Sequence, residues 1–110
     1  MNTPIEDVVQ SVINLYGDID CEICFDYGLI AEGNYGVTTF CDDGTKVITL
    51  AIETTLDVLC ETLAHELAHV IVGIEHDHDE VWEKCFDSIH KEYNLSLIHI
   101  SEPTRHSLSR

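Results

Sequence analysis

Basic residues are scarce in this sequence, with 5 Lys and Arg against 21 Asp and Glu in 110 residues, a net charge of −16. So acidic a surface repels phosphate backbones, and we expect the chain to bind nucleic acid poorly. No apolar run approaches the roughly 18 to 20 residues of a membrane-spanning helix. The N-terminus also lacks the basic stretch followed by an apolar one that marks a secretory signal. The sequence therefore predicts a cytoplasmic protein without a membrane partner.

Cysteine is present but not in a disulfide pattern, since the count of 5 is odd and no secretory signal is visible. Cys21 and Cys24 have the Cys-x-x-Cys spacing that can serve zinc or redox chemistry. No second pair completes a four-cysteine site, and the flanking residues alternate as in a strand. We therefore interpret this pair as two structural cysteines on a strand.

The last part of the chain has an unusual sequence, "LSLIHISEPTR" at residues 95–105. These eleven residues match the translation of a transposase sequencing-library adapter. We therefore expect residues 1–94 to form the natural domain, 95–110 to be a non-native tail, and the natural protein to have continued further. Leaving out Glu102, Arg105 and Arg110 gives 20 acidic and 3 basic residues, a net charge near −17.

Apolar periodicity and cap residues predict one α+β domain of a helix, three strands and two helices. Thr3 and Pro4 favour a helix start, and Gly17 favours its end. "DDGT" at residues 42–45 is a hairpin signal between the second and third strands. The predicted elements cover about residues 5–16, 19–25, 35–41, 46–52, 55–72 after Thr54 or Thr55 as cap, and a last helix from near 79.

The segment His65-Glu66-Leu67-Ala68-His69 has the H-E-x-x-H pattern inside the fifth predicted element. Side chains four residues apart lie on one face of a helix, so two imidazoles can reach one zinc ion at roughly 2.0–2.1 Å. Glu66 is placed to act as the general base on a zinc-activated water, as in zinc peptidases. The structural alternative is a polar histidine stripe on an amphipathic helix, which is disfavoured because burying such groups in an apolar helix is costly.

A catalytic zinc site needs three protein ligands and one open position, so a third ligand must follow the helix. The metzincin spacing is not met, because Gly73 comes four residues after His69 and His76 comes seven after it. From the residues alone the third ligand stays open among six candidates: Glu75, His76, Asp77, His78, Asp79 and His90.

Residues 35 to 90 resemble the SprT-like (Spartan-like) zincin metallopeptidases. In that family a strand leads into a helix reading L-x-H-E-x-x-H, and after a loop comes a histidine followed four residues later by Trp or Phe. Here "VITLAIETTLDVLCETLAHELAHV" is followed by "HDEVW" at residues 78–82, with Asp79 in place of the usual glycine. The resemblance implies a minimal zincin-like fold, Zn²⁺ held by His65, His69 and His78, and Trp82 packed beneath the site. It also implies an endopeptidase with Glu66 as catalytic base and acid.

The resemblance further implies a protein or peptide substrate. Many members contact DNA through a C-terminal zinc ribbon or basic segment, so nucleic acid is expected only through a missing C-terminal region. We expect a monomer. The strand from Lys46 to Ala51, directly before the active-site helix, is predicted as the sheet edge along which an extended peptide pairs.

Two other functions compete with the peptidase. A non-catalytic zinc module would close the site with a fourth protein ligand, for which His76 beside His78 is available. A YbeY-like zinc endoribonuclease reads H-x-x-x-H-x-x-x-x-x-H, and its last position here is Glu75. That pattern does not require a glutamate at the position of Glu66, and the acidic charge disfavours RNA binding.

Overall fold

The computed structural model describes the backbone of residues 3–100 and the side chains of residues 3–93. The α+β arrangement is as predicted, although the first strand begins at Glu22 instead of about residue 19. No described helix has the length and apolar character needed to cross a membrane. The elements are α1 (Pro4–Tyr16), β1 (Glu22–Asp26), a 3-10 turn (Ile30–Glu32), β2 (Gly36–Phe40), β3 (Lys46–Ala51), α2 (Leu56–Val72) and α3 (Glu80–Ile100).

The adapter-like segment falls partly on α3 and partly outside the described residues. The backbone of residues 95–100 continues the helix, and residues 101–110 lie outside the description. The assignment of 95–110 as a non-native tail stays a prediction.

Side-chain caps fix the starts of α1 and α2, as the sequence predicted. Thr3 and Glu6 form a reciprocal capping box, in which each side chain accepts a hydrogen bond from the other's backbone N–H. The Thr55 hydroxyl oxygen accepts from the Val58 N–H at 3.3 Å. These bonds satisfy backbone donors that a helix start leaves unpaired. The register of α2, and with it the position of the H-E-x-x-H residues, is therefore set from its first turn.

The sheet has the order β1-β3-β2, so β3 is its central strand. β1 pairs with β3 in parallel, and β2 pairs with β3 as the antiparallel arm of the predicted hairpin. The prediction that Lys46 to Ala51 forms the sheet edge is therefore wrong. β3 is central because Ile48, Leu50 and Ala51 are all buried, and a strand with neighbours on both sides buries such residues best. The edges of the described sheet are β1 and β2.

The core lies between the sheet and the three helices. α2 packs on β2 and β3 and also contacts α1 and α3. Its side chains Leu63 and Leu67 are fully buried, as are Ile48 and Leu50 of β3. α2 is therefore anchored along its length by apolar contacts, which makes it a rigid support for polar side chains.

Gly36 allows β2 to approach α2 closely. A Cβ atom built at Gly36 would lie 2.6 Å from Thr62 Cγ2 and 3.4 Å from Glu66 Cγ. Any larger residue would meet the Thr62 methyl, so atoms at this contact would have to shift. The next inward-facing residue of β2, Thr38, lies beside α2 and its hydroxyl donates to Glu66.

Cys21 and Cys24 do not face a common site. Cys21 precedes β1 and packs against the core, whereas Cys24 is exposed with its Sγ 3.6 Å from Thr49 Oγ1. β1 begins at Glu22, so Cys24 lies on the strand and Cys21 lies one residue before it. The interpretation of two strand cysteines therefore holds for Cys24 and not for Cys21.

Candidate metal centre

α2 carries three of the predicted site residues on one turn. The imidazole rings of His65 and His69 lie with centroids 5.0 Å apart, and both side chains are half-buried. Leu67 and Ala68 between them are fully buried against the core. The helix thus places two imidazoles side by side on a rigid support.

The loop after α2 brings a third imidazole to the same place. His78 Nε2 lies 3.1 Å from His65 Nε2 and 3.1 Å from His69 Nε2. His78 has φ of 57°, the one positive φ of a non-glycine residue in the part of the chain that the structure describes. This uncommon backbone conformation accompanies the placement of the ring against α2.

The spacing of the three Nε2 atoms suits a shared metal ion better than it suits hydrogen bonds between the rings. A tetrahedral zinc with Zn–N distances of roughly 2.0–2.1 Å separates neighbouring nitrogens by about 3.3 Å. Hydrogen bonds cannot satisfy this group, because His78 Nε2 has either one hydrogen or one lone pair for two close neighbours. His65, His69 and His78 therefore lie close enough together to bind one metal ion.

Burial favours the neutral, metal-binding form of the two helix histidines. Desolvation lowers the pKa of His65 and of His69 below the usual histidine value, and the neighbouring imidazoles lower both further. The negative charge of Glu66 acts in the opposite direction but does not reverse the shift. Both rings are therefore neutral near pH 7 and can offer a lone pair to a cation.

Trp82 packs beneath the three imidazoles, as the resemblance implied. Its ring centroid lies 4.7 Å from that of His65, 5.4 Å from His69 and 4.6 Å from His78. The indole is buried, and its Nε1–H donates to the His65 carbonyl oxygen at 3.4 Å. A single rigid side chain thus limits the movement of all three rings.

Glu66 lies in the wall of a cleft next to the histidines. Its side chain is only 7% exposed, and the Thr38 hydroxyl donates to Glu66 Oε1 at 2.6 Å. Thr38 was not predicted as a site residue, because the strand pattern does not show which residue of α2 it contacts. The cleft has a volume of about 320 Å³ and is lined by Thr38, Phe40, Glu66, His69, Gly73, Ile74, His76 and Asp77.

The other candidate ligands lie outside the three-histidine group. His76 Nδ1 lies 2.7 Å from Asp79 Oδ2, and a carboxylate can only accept, so the imidazole N–H donates. His90 Nε2 instead donates to Glu61 Oε2 at 3.0 Å. Among the side chains of residues 3–93, no other histidine, cysteine or acid joins His65, His69 and His78 as a ligand. The described site therefore offers three protein ligands, and His76, the alternative fourth ligand, is not among them.

Comparisons with protein-family models, with curated proteins and with solved structures find no match to this chain. The likeness to SprT-like peptidases therefore stays a prediction from the sequence motifs. Function has to be inferred from the site itself.

Proposed function

We propose that the protein is a zinc-dependent endopeptidase of the SprT-like zincin kind. The observation that carries the proposal is the convergence of three imidazole Nε2 atoms next to a cleft that Glu66 and His69 line. Three nitrogen ligands with a fourth position free is the donor set of catalytic zinc, and imidazole suits zinc well. His65, His69 and His78 are the proposed ligands.

Glu66 has the role of general base and acid in this proposal. When bound, zinc would supply a Lewis acid that makes water more acidic and polarises a peptide carbonyl. Glu66 accepts a proton from the water whose oxygen bonds to the carbonyl carbon. It then gives that proton to the leaving nitrogen as the C–N bond breaks. Thr38 holds Oε1 of Glu66 and so limits rotation of the carboxylate.

A protein or peptide substrate is the proposed ligand of the cleft. Since β3 is internal, the sheet edge nearest Glu66 is β2, which carries Thr38 and Phe40 of the cleft wall. An extended peptide could pair with this edge through main-chain hydrogen bonds. A monomeric, cytoplasmic enzyme is part of the same proposal.

The test uses the full chain, with zinc measured by elemental analysis and cleavage measured on a fluorescently labelled, denatured protein. We expect one zinc per chain, cleavage that a chelator abolishes, and recovery on adding zinc. Glu66→Gln should keep the zinc and lose about 10²- to 10⁴-fold in rate. Glu83→Gln, an exposed change on α3, is the matched control and should cleave normally.

Two results would contradict the proposal. One is a zinc-loaded protein that cleaves none of a panel of denatured proteins, which would favour a non-catalytic metal site. The other is a Glu66→Gln variant that cleaves as fast as the unchanged chain.

A further inference from the structure

The segment of residues 73–79, here called the ligand loop, presents His78 from an exposed stretch of backbone. The His78 side chain is 52% exposed, and its backbone has the uncommon φ of 57°. An exposed segment keeps such a conformation only where other contacts hold it. Trp82 limits the ring of His78, but it does not hold the backbone of the loop.

Both carboxylate oxygens of Asp79, at the end of the ligand loop, accept hydrogen bonds. Its Oδ1 accepts from the Trp82 backbone N–H at 3.0 Å, which caps the first turn of α3. Its Oδ2 accepts from His76 Nδ1 at 2.7 Å. The His76 backbone N–H in turn donates to the Gly73 carbonyl at 3.2 Å, close to the end of α2. One carboxylate thus connects the start of α3 to the end of α2 around His78.

We propose that Asp79, acting through His76, is a positioning residue that sets His78 as the third metal ligand. The inference rests on the three-histidine zinc site of the proposed function. The bridge between His76 and Asp79 closes a short segment of chain that contains His78, and so restrains its backbone and aims its Nε2 at His65 and His69 before a metal arrives. Less conformational freedom is then lost on binding, so the metal is held more tightly.

The competing explanation is that Asp79 only caps α3, in which case any good cap residue would serve. Asp79→Ser separates the two roles, because serine also caps helices but is too short to reach His76. His76→Ala breaks the same contact from the other side and leaves the cap untouched. Asp87→Ser, an exposed acid on α3, is the control for the change in charge.

The experiment measures the zinc dissociation constant of the full chain by competition with a chromophoric chelator. Removing partners that orient metal ligands typically weakens metal affinity by about 10- to 100-fold, and we expect about tenfold for Asp79→Ser and for His76→Ala. The double variant should be no more than about twofold weaker than either single variant, because both break one contact. Asp87→Ser should bind zinc like the unchanged chain.

Cobalt gives a second readout that a simple cap would not affect. The visible absorption of bound Co²⁺ reports the geometry of its ligands, so it should change in Asp79→Ser and stay the same in Asp87→Ser. Thermal unfolding of the metal-free variants shows that each is folded. If Asp79→Ser fails to fold, His76→Ala carries the test alone.

A zinc affinity of Asp79→Ser or His76→Ala within about twofold of the unchanged chain would overturn the positioning role, as would additive losses in the double variant. These outcomes do not involve cleavage. Zinc binding with the expected losses but without peptidase activity would defeat only the proposed function, whereas a chain that binds no zinc would defeat both.

Discussion

α2 and the ligand loop build the same site in different ways. α2 presents His65, Glu66 and His69 from a helix that is anchored by fully buried side chains. The ligand loop presents His78 from an exposed segment through a few hydrogen bonds. Changes in the helix core should therefore alter both stability and the site. Changes in the loop should alter metal binding with little effect on folding.

The largest expected effect comes from Leu67→Ala, between the two helix histidines. Leu67 is 0% exposed, and emptying such a core position lowers the free energy of unfolding by about 2–5 kcal/mol. Ile74→Ala in the ligand loop is the control, since its side chain is 70% exposed. Ile74→Ala should change the free energy of unfolding by no more than about 0.5 kcal/mol. Urea unfolding of both variants measures the difference, and equal losses would contradict the contrast between helix and loop.

Gly36→Ala tests how closely β2 must approach α2. The added methyl would lie 2.6 Å from Thr62 Cγ2, so the Thr62 side chain or the backbone at this contact has to shift. Overpacking of this kind lowers the free energy of unfolding by about 1–3 kcal/mol. Removing the obstacle in a Gly36→Ala, Thr62→Ala double variant should restore part of the loss in urea unfolding. No recovery would show that the contact is not the cause.

Thr38→Val removes the hydroxyl that holds Glu66 while keeping the side-chain shape. We expect kcat to fall about tenfold, the equivalent of about 1.4 kcal/mol for one hydrogen bond to a charged group. Bound zinc should be unchanged, because Thr38 is not one of the three proposed ligands. Thr39→Val, the exposed neighbour on β2, is the matched control. Equal rates for both variants would mean that the contact with Thr38 does not orient Glu66.

The smallest expected effect is the pH dependence of the metal-free protein. Burial lowers the pKa of His65 and His69 in the folded state, whereas in the unfolded chain both titrate near about 6.5. The unfolded chain therefore binds more protons below that pH, so stability is lost as the pH falls through about 6.5. The urea midpoint should be lower at acid pH than at neutral pH. A His65→Gln, His69→Gln variant should lose less, and an identical pH dependence would contradict the assignment.

Local signals in the sequence predicted much of the fold and two of the three proposed metal ligands. The caps Thr3 and Thr55 and the turn at residues 42–45 act on neighbouring residues, so they can be recognised without a structure. The pair His65 and His69 follows from the helical repeat alone. Each of these features depends on contacts within a few residues.

The features that the sequence could not reveal depend on contacts between distant residues. β3 is central because β1 pairs with it in parallel across more than twenty residues, which no local pattern specifies. Thr38 donates to Glu66 where β2 approaches α2 closely, and Gly36 leaves room for that approach. The place of His78 was implied by family resemblance, and its geometry follows from the loop contacts of Asp79.

The zinc content of His78→Ala beside His76→Ala tests the central claim most directly. Both full-length variants are purified at protein concentrations well above the zinc dissociation constant and measured by elemental analysis. Three histidine ligands with a free fourth position predict one zinc per chain in His76→Ala and none in His78→Ala. Zinc lost from both variants would indicate a closed four-ligand site, and zinc kept in His78→Ala would remove the ligand loop from the metal centre.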